Sequence, residues 1–148
     1  MSGCCCKKGP LAVVAVFAFK IISGMFLAGC VLNMLDHPEF ANVSRILAAP
    51  GKRYYFGTLL VSFFFVLVYK LFGKALTCQS KIKKGLVYGL AVFALGVVPD
   101  QIGHYVYMTL DPVVSLHWTI IGLVLTLAEG VVVASILGDD VETCAIKK

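Results

Sequence analysis

Charge is scarce in this chain. Only 14% of its 148 residues are Asp, Glu, Lys or Arg, against about 25% in soluble domains. Hydrophobic residues make up 59%, and the mean hydropathy is +0.91. A water-soluble fold of this size would leave a large apolar patch exposed, which invites aggregation. That excludes a soluble domain and makes the bilayer the solvent. Catalytic signatures are missing too. There is no HExxH, phosphate loop, dinucleotide fingerprint, nucleophile motif or thioredoxin-like C-x-x-C. The chain therefore reads as a non-enzymatic protein.

Long apolar runs are present, and a bilayer crossing takes about 20 residues. Four runs qualify: Leu11–Asn33, Tyr55–Thr77, Gly85–Leu110 and Val113–Leu137. Little remains between them, so residues 1–148 form one transmembrane domain. The fold expected is an all-α bundle of four transmembrane helices, packed up-and-down. The linker Met34–Tyr54 is the longest; its Val43, Ile46 and Leu47 suit a short interfacial helix. The first run is too long for the apolar region of a cleavable signal, about 7–15 residues, and is expected to stay as a span.

Basic residues near span ends set orientation. Lys7, Lys8, Lys74, Lys81, Lys83, Lys84, Lys147 and Lys148 fall on one side, and Arg45, Lys52 and Arg53 on the other. Both termini are therefore expected in the cytoplasm, with the chain in a plasma membrane, the bacterial inner membrane first. The net charge of +5 is split among small tails and loops, which argues against nucleic acid as a partner. The partners expected are the lipid bilayer and a second copy or another membrane subunit.

Of the six cysteines, Cys4, Cys5, Cys6, Cys78 and Cys144 fall on the cytoplasmic side and Cys30 in a span. A reducing cytosol disfavours disulfides. Thiolates suit soft metals such as Cu(I) or Zn, so Cys4, Cys5 and Cys6 are a candidate metal site. Adjacent cysteines lack the C-x₂-C spacing of closed zinc sites; free or lipidated thiols are the plainer reading.

The polar residues inside the spans are the remaining candidates, because ionisable groups there are costly and functional by default. Lys20 lies about ten residues from the cytoplasmic end of the first span and Glu129 about eight from that of the fourth. At about 1.5 Å per residue their depths match within a turn. An ion pair between these spans follows, either as a lock on register or as part of a site. Lys70, nearer a span end, is expected to snorkel.

In the third span Gly89, Gly96 and Gly103 recur at heptad spacing, with Asp100 and His104 one turn apart. Small residues admit a neighbouring helix, so Asp100 and His104 are expected on the packed face. Pro99 removes a hydrogen-bond donor and is expected to kink or break the helix beside them. His117 follows the turn LDPV at a similar level. Asp100, His104 and His117 then form a candidate N/O metal cluster, with Asp36, His37 or Glu39 as further ligands, Asp100 holding His104 through Nδ1.

Three functional readings result, one of them a metal- or redox-active membrane enzyme using His104 and His117. The first is a small accessory or structural membrane protein with a buried Asp–His and Lys–Glu network. The second is a proton- or metal-ion-coupled transporter using Asp100, His104 and Glu129, since broken polar helices mark transporter sites. Topology is directly testable. A membrane-impermeant maleimide should label Cys4 and Cys144 only after permeabilisation; labelling in intact cells would reverse the orientation.

Overall fold

A backbone in hydrocarbon must satisfy its own N–H and C=O groups, which leaves continuous helices or closed barrels. This chain takes the helical solution. Its computed structural model describes residues 8–27, 51–73, 75–76, 80–107 and 112–146, the side chains of 107 and 139–146 excepted. The elements are α1 (Lys8–Phe26), α2 (Lys52–Phe72), α3 (Lys81–Val92), a π-helical turn (Phe93–Val97), α4 (Val98–Tyr107) and α5 (Pro112–Ile146). Four stretches, Lys8–Phe26, Lys52–Phe72, Lys81–Val106 and Pro112–Gly138, are long and apolar enough to cross a membrane. The architecture is that of an all-helical, multi-pass membrane protein.

Helix ends and apolar-run ends differ, because helical hydrogen bonding does not stop at a charge. α2 starts at Lys52 rather than Tyr55 and closes at Phe72 rather than Thr77, where Gly73 N–H bonds to Tyr69 O at 2.7 Å. α5 continues past Leu137 to Ile146. The end of the first expected span, the interfacial helix in the 34–54 linker, and Cys4, Cys5, Cys6, Cys30 and Cys78 lie outside the described residues.

Pro99 does not break the third span. Its ring crowds the preceding turn and it cannot donate to the carbonyl four residues back. The chain answers one turn earlier by widening, so that Val98 N–H reaches Phe93 O, five residues back. Such single π turns are a recognised way to absorb a local mismatch inside a helix. Helix then resumes as α4.

α5 is the hub: α1, α3 and α4 pack on it, α3 most closely. The reason is the segment GLVYG. Cβ atoms added at Gly85 and Gly89 would stand 2.6 Å from Val131 Cα and 2.8 Å from Leu127 Cα. One added at Gly130 would run into the carbonyl oxygen of Gly85. The two backbones touch, as small residues four apart permit in membranes. Of the expected heptad stripe only Gly89 takes part. Gly96 and Gly103 face open space, with nothing within 4 Å of an added Cβ. The π turn between Gly89 and Gly103 interrupts the periodicity that the heptad count assumes.

The core gathers Ala12 and Val16 of α1, Phe65, Val66 and Tyr69 of α2, Tyr88 of α3, and Val133, Ala134 and Leu137 of α5. These come from the first half of α1, the second half of α2, the first half of the third span and the later half of α5. The bundle is thus tight at one end. No described residue of α4 is fully buried, and Leu95 in the π turn is 82% exposed. Tyr88 ties the tight end across its middle. Its hydroxyl donates to Phe65 O at 2.5 Å, and its ring meets Phe65 and Tyr69 edge-on at centroid distances of 5.0 Å.

Gly89→Leu should destabilise the fold by at least the ~1–3 kcal/mol of ordinary overpacking. Gly103→Ala should be neutral or up to ~1 kcal/mol stabilising, since it removes a helical glycine into open space. Unfolding in mixed micelles reads both.

Candidate functional site

A lysine and a glutamate inside apolar helices each need a partner, since an isolated charge in hydrocarbon is costly. α1 and α5 bring them together. Lys20 Nζ donates to Glu129 Oε1 at 2.6 Å, as their matched depths predict. Glu129 is only 2% exposed and the Lys20 side chain 20%. The ammonium also lies 5.8 Å from the centroid of the Phe65 ring, within reach of a cation–π contact. The second carboxylate oxygen, Glu129 Oε2, is buried without a hydrogen-bond partner.

The hydroxyls around the pair are satisfied locally. Thr126 Oγ1 donates to Gly122 O at 2.8 Å, Ser23 Oγ to Lys20 O at 3.2 Å, Thr58 Oγ1 to Tyr54 O at 2.8 Å and Ser62 Oγ to Thr58 O at 2.7 Å. Each bonds back to its own helix, a common habit of Ser and Thr within helices. They spend their protons on carbonyls and keep only acceptor lone pairs.

Beside the pair, toward the start of α2 and of α5, α1, α2 and α5 border an open pocket of about 520 Å³. Lys20 and Glu129 line it, together with Arg53 and Thr58 of α2 and Trp118 of α5. Its size falls in the range of ligand pockets, about 300–1,000 Å³. Elsewhere on α5, Gly122 supports Val97, whose Cγ1 lies 2.7 Å from an added Cβ, while Thr126 backs the Gly89 contact.

Asp100 and His104 do pair, but not where the glycine spacing suggested. His104 Nε2 lies 3.7 Å from Asp100 Oδ1, beyond hydrogen-bond range. It is Nε2 that faces the carboxylate, not the expected Nδ1. Their side chains are 40% and 62% exposed, so the pair sits on the open face of α4 rather than the packed one. The i,i+4 rule fixed that they share a face; it carries no information on which face is covered. The π turn, one residue longer than an α turn, also shifts the phase of α4.

His117 goes its own way. Its Nδ1 lies 2.7 Å from Val113 O, and because a carbonyl only accepts, that nitrogen carries the hydrogen. Among the described residues no three of His, Cys, Asp and Glu converge as a metal site, so the expected cluster of Asp100, His104 and His117 is not assembled. Asp36, His37 and Glu39 lie outside those residues, as do Cys4, Cys5 and Cys6. Lys70 crosses the first turn of α1, where its Nζ occupies the space a Cβ on Gly9 would take. Lys84, counted with the basic loop, is 4% exposed on α3. Of the features missed, the Gly85–Gly89 contact had a signal, the G-x-x-x-G spacing itself; the cavity had none.

No protein-family model matches the chain, and no curated protein or solved structure matches it. Function rests on the geometry. Removing one member of a buried ion pair strands the other and costs about 3–5 kcal/mol, whereas apolar replacement of both is often neutral. Glu129→Leu alone should therefore destabilise strongly, and Lys20→Met with Glu129→Leu should recover most of the loss. A double-mutant cycle on unfolding in bicelles measures the coupling.

Proposed function

We propose that this chain is a non-enzymatic, multi-pass membrane protein whose role is accessory or structural. The observation that carries this reading is the separation of its polar groups. Lys20 and Glu129 neutralise each other between α1 and α5, while Asp100 and His104 stand apart on the open face of α4. Charges that cancel in place fix register between helices. The core supports an up-and-down arrangement, since it joins the first halves of the first and third spans to the second halves of the second and fourth. With basic residues clustered at that same end, both termini are assigned to the cytoplasm and the protein to a plasma membrane.

The open face of α4 is the natural side for a second copy or another membrane subunit, because Asp100 is poorly placed against lipid tails. The competing role, ion-coupled transport through Asp100, His104 and Glu129, requires those three to share a route, and the cavity at Glu129 is lined by neither Asp100 nor His104. Reconstituted in proteoliposomes, the protein should pass no protons or divalent cations under an imposed gradient. Asp100→Asn should leave the protein folded and at least as stable, since it removes an ionisable side chain from a membrane-spanning helix. Flux abolished by Asp100→Asn would replace this reading with transport.

A further inference from the structure

At the tight end of the bundle α1 and α2 leave an open groove of about 390 Å³ between them. We infer that it seats an anionic phospholipid of the surrounding bilayer, with the head on Lys70 and a chain between the two helices.

The walls set the tail. Val13 and Val14 of α1 and Phe63, Val66 and Leu67 of α2 line the groove. Val66 is buried, whereas Val14, Phe63 and Leu67 are exposed. The groove therefore has an apolar floor and opens sideways, toward lipid, so a chain enters it from the bilayer without crossing water. From Lys70 back to Phe63 the rise along α2 is about 10 Å, at about 1.5 Å per residue. The groove runs along the helices, the direction in which a lipid chain lies.

Lys70 sets the head. It is the charged side chain among the described residues that line the groove, and it stands just before α2 ends at Phe72, where lipid heads meet their chains. Its Nζ crosses to α1 and takes the space beside Gly9 that a larger residue would fill. An ammonium has three donors, and among the described residues Lys70 has neither an ion-pair nor a hydrogen-bond partner. A cation held against apolar walls at membrane depth is costly until an acceptor reaches it. A phosphodiester oxygen of a lipid head does so at this level.

Charge selects among lipids. Residues 1–7, 74 and 77–79 adjoin these helix ends in the sequence; they include Lys7 and Lys74 and no Asp or Glu. Lys8 opens α1 beside Gly9. The acids Asp139, Asp140 and Glu142 follow Gly138 on α5, and Gly138 packs on Lys81 of α3. The mouth of the groove is thus basic. One basic side chain at a membrane surface favours an anionic head by about fivefold. Such a site requires neither an accessory role nor a particular orientation of the chain.

The full-length protein, purified in a nonionic detergent, would be titrated with dioleoyl phosphatidylglycerol and, separately, with dioleoyl phosphatidylcholine, and bound lipid counted by native mass spectrometry. Phosphatidylglycerol is expected to bind about fivefold more tightly. Lys70→Gln should erase that preference, and Lys70→Arg should keep it. Lys52→Gln, at the opposite end of α2, should leave it unchanged. Val14 is 60% exposed, so Val14→Phe should narrow the groove without disturbing the core. It should weaken both lipids about threefold or more, through lost chain packing, while thermal unfolding is kept. Equal affinity for the two phospholipids, tighter binding of oleate than of phosphatidylglycerol, a preference that survives Lys70→Gln, or unchanged binding in Val14→Phe would overturn the assignment.

Discussion

Between Gly85, Gly89 and Gly130 no side chain stands, and the backbones of α3 and α5 lie against each other. In hydrocarbon the association of helices is driven by close packing rather than by exclusion of water. This contact therefore decides how the other helices can sit. It pins α3 to the later half of α5, and α1 and α2 complete a core around the same end. Among the described residues Gly96 and Gly103 of the third span meet no such neighbour, while Val114 near the start of α5 is buried. The pocket beside Lys20 and Glu129 opens on that side of the pair.

The ion pair marks the boundary between the two regimes. On one side of it lie Phe65, Tyr69 and Tyr88 in aromatic contact; on the other lie Thr58, Trp118 and Arg53 around open volume. At that boundary Lys20 holds one carboxylate oxygen of Glu129, and burial leaves the other without a hydrogen-bond partner.

Much of this was legible in the sequence. Hydropathy gave four spans because a crossing needs a long apolar run, and that requirement is one-dimensional. Counting residues from span ends paired Lys20 with Glu129 because rise per residue is constant in a helix. Reading Gly89, Gly96 and Gly103 as one stripe failed because the phase of a helix survives only while its turns are uniform, and Pro99 induces a wider one at Phe93–Val97. Asp100 and His104 followed that error onto the wrong face. Which face of a helix is covered depends on the neighbours, and spacing along one chain does not encode them. The G-x-x-x-G of Gly85 and Gly89 was the better guide to the tightest contact, since it lies wholly within uniform helix.

Tyr88 adds a mechanical consequence. α2 and α3 are not close backbone neighbours, yet the Tyr88 side chain reaches from one to a carbonyl of the other. A rigid phenol ring in that position is a strut of fixed length. It resists compression of the gap between the two helices, because the ring cannot shorten. It resists separation only through one hydrogen bond and two ring contacts, which can be broken. The seam between α2 and α3 is therefore stiff toward closing and compliant toward opening, so lateral pressure in the surrounding lipid would load it unequally in the two directions.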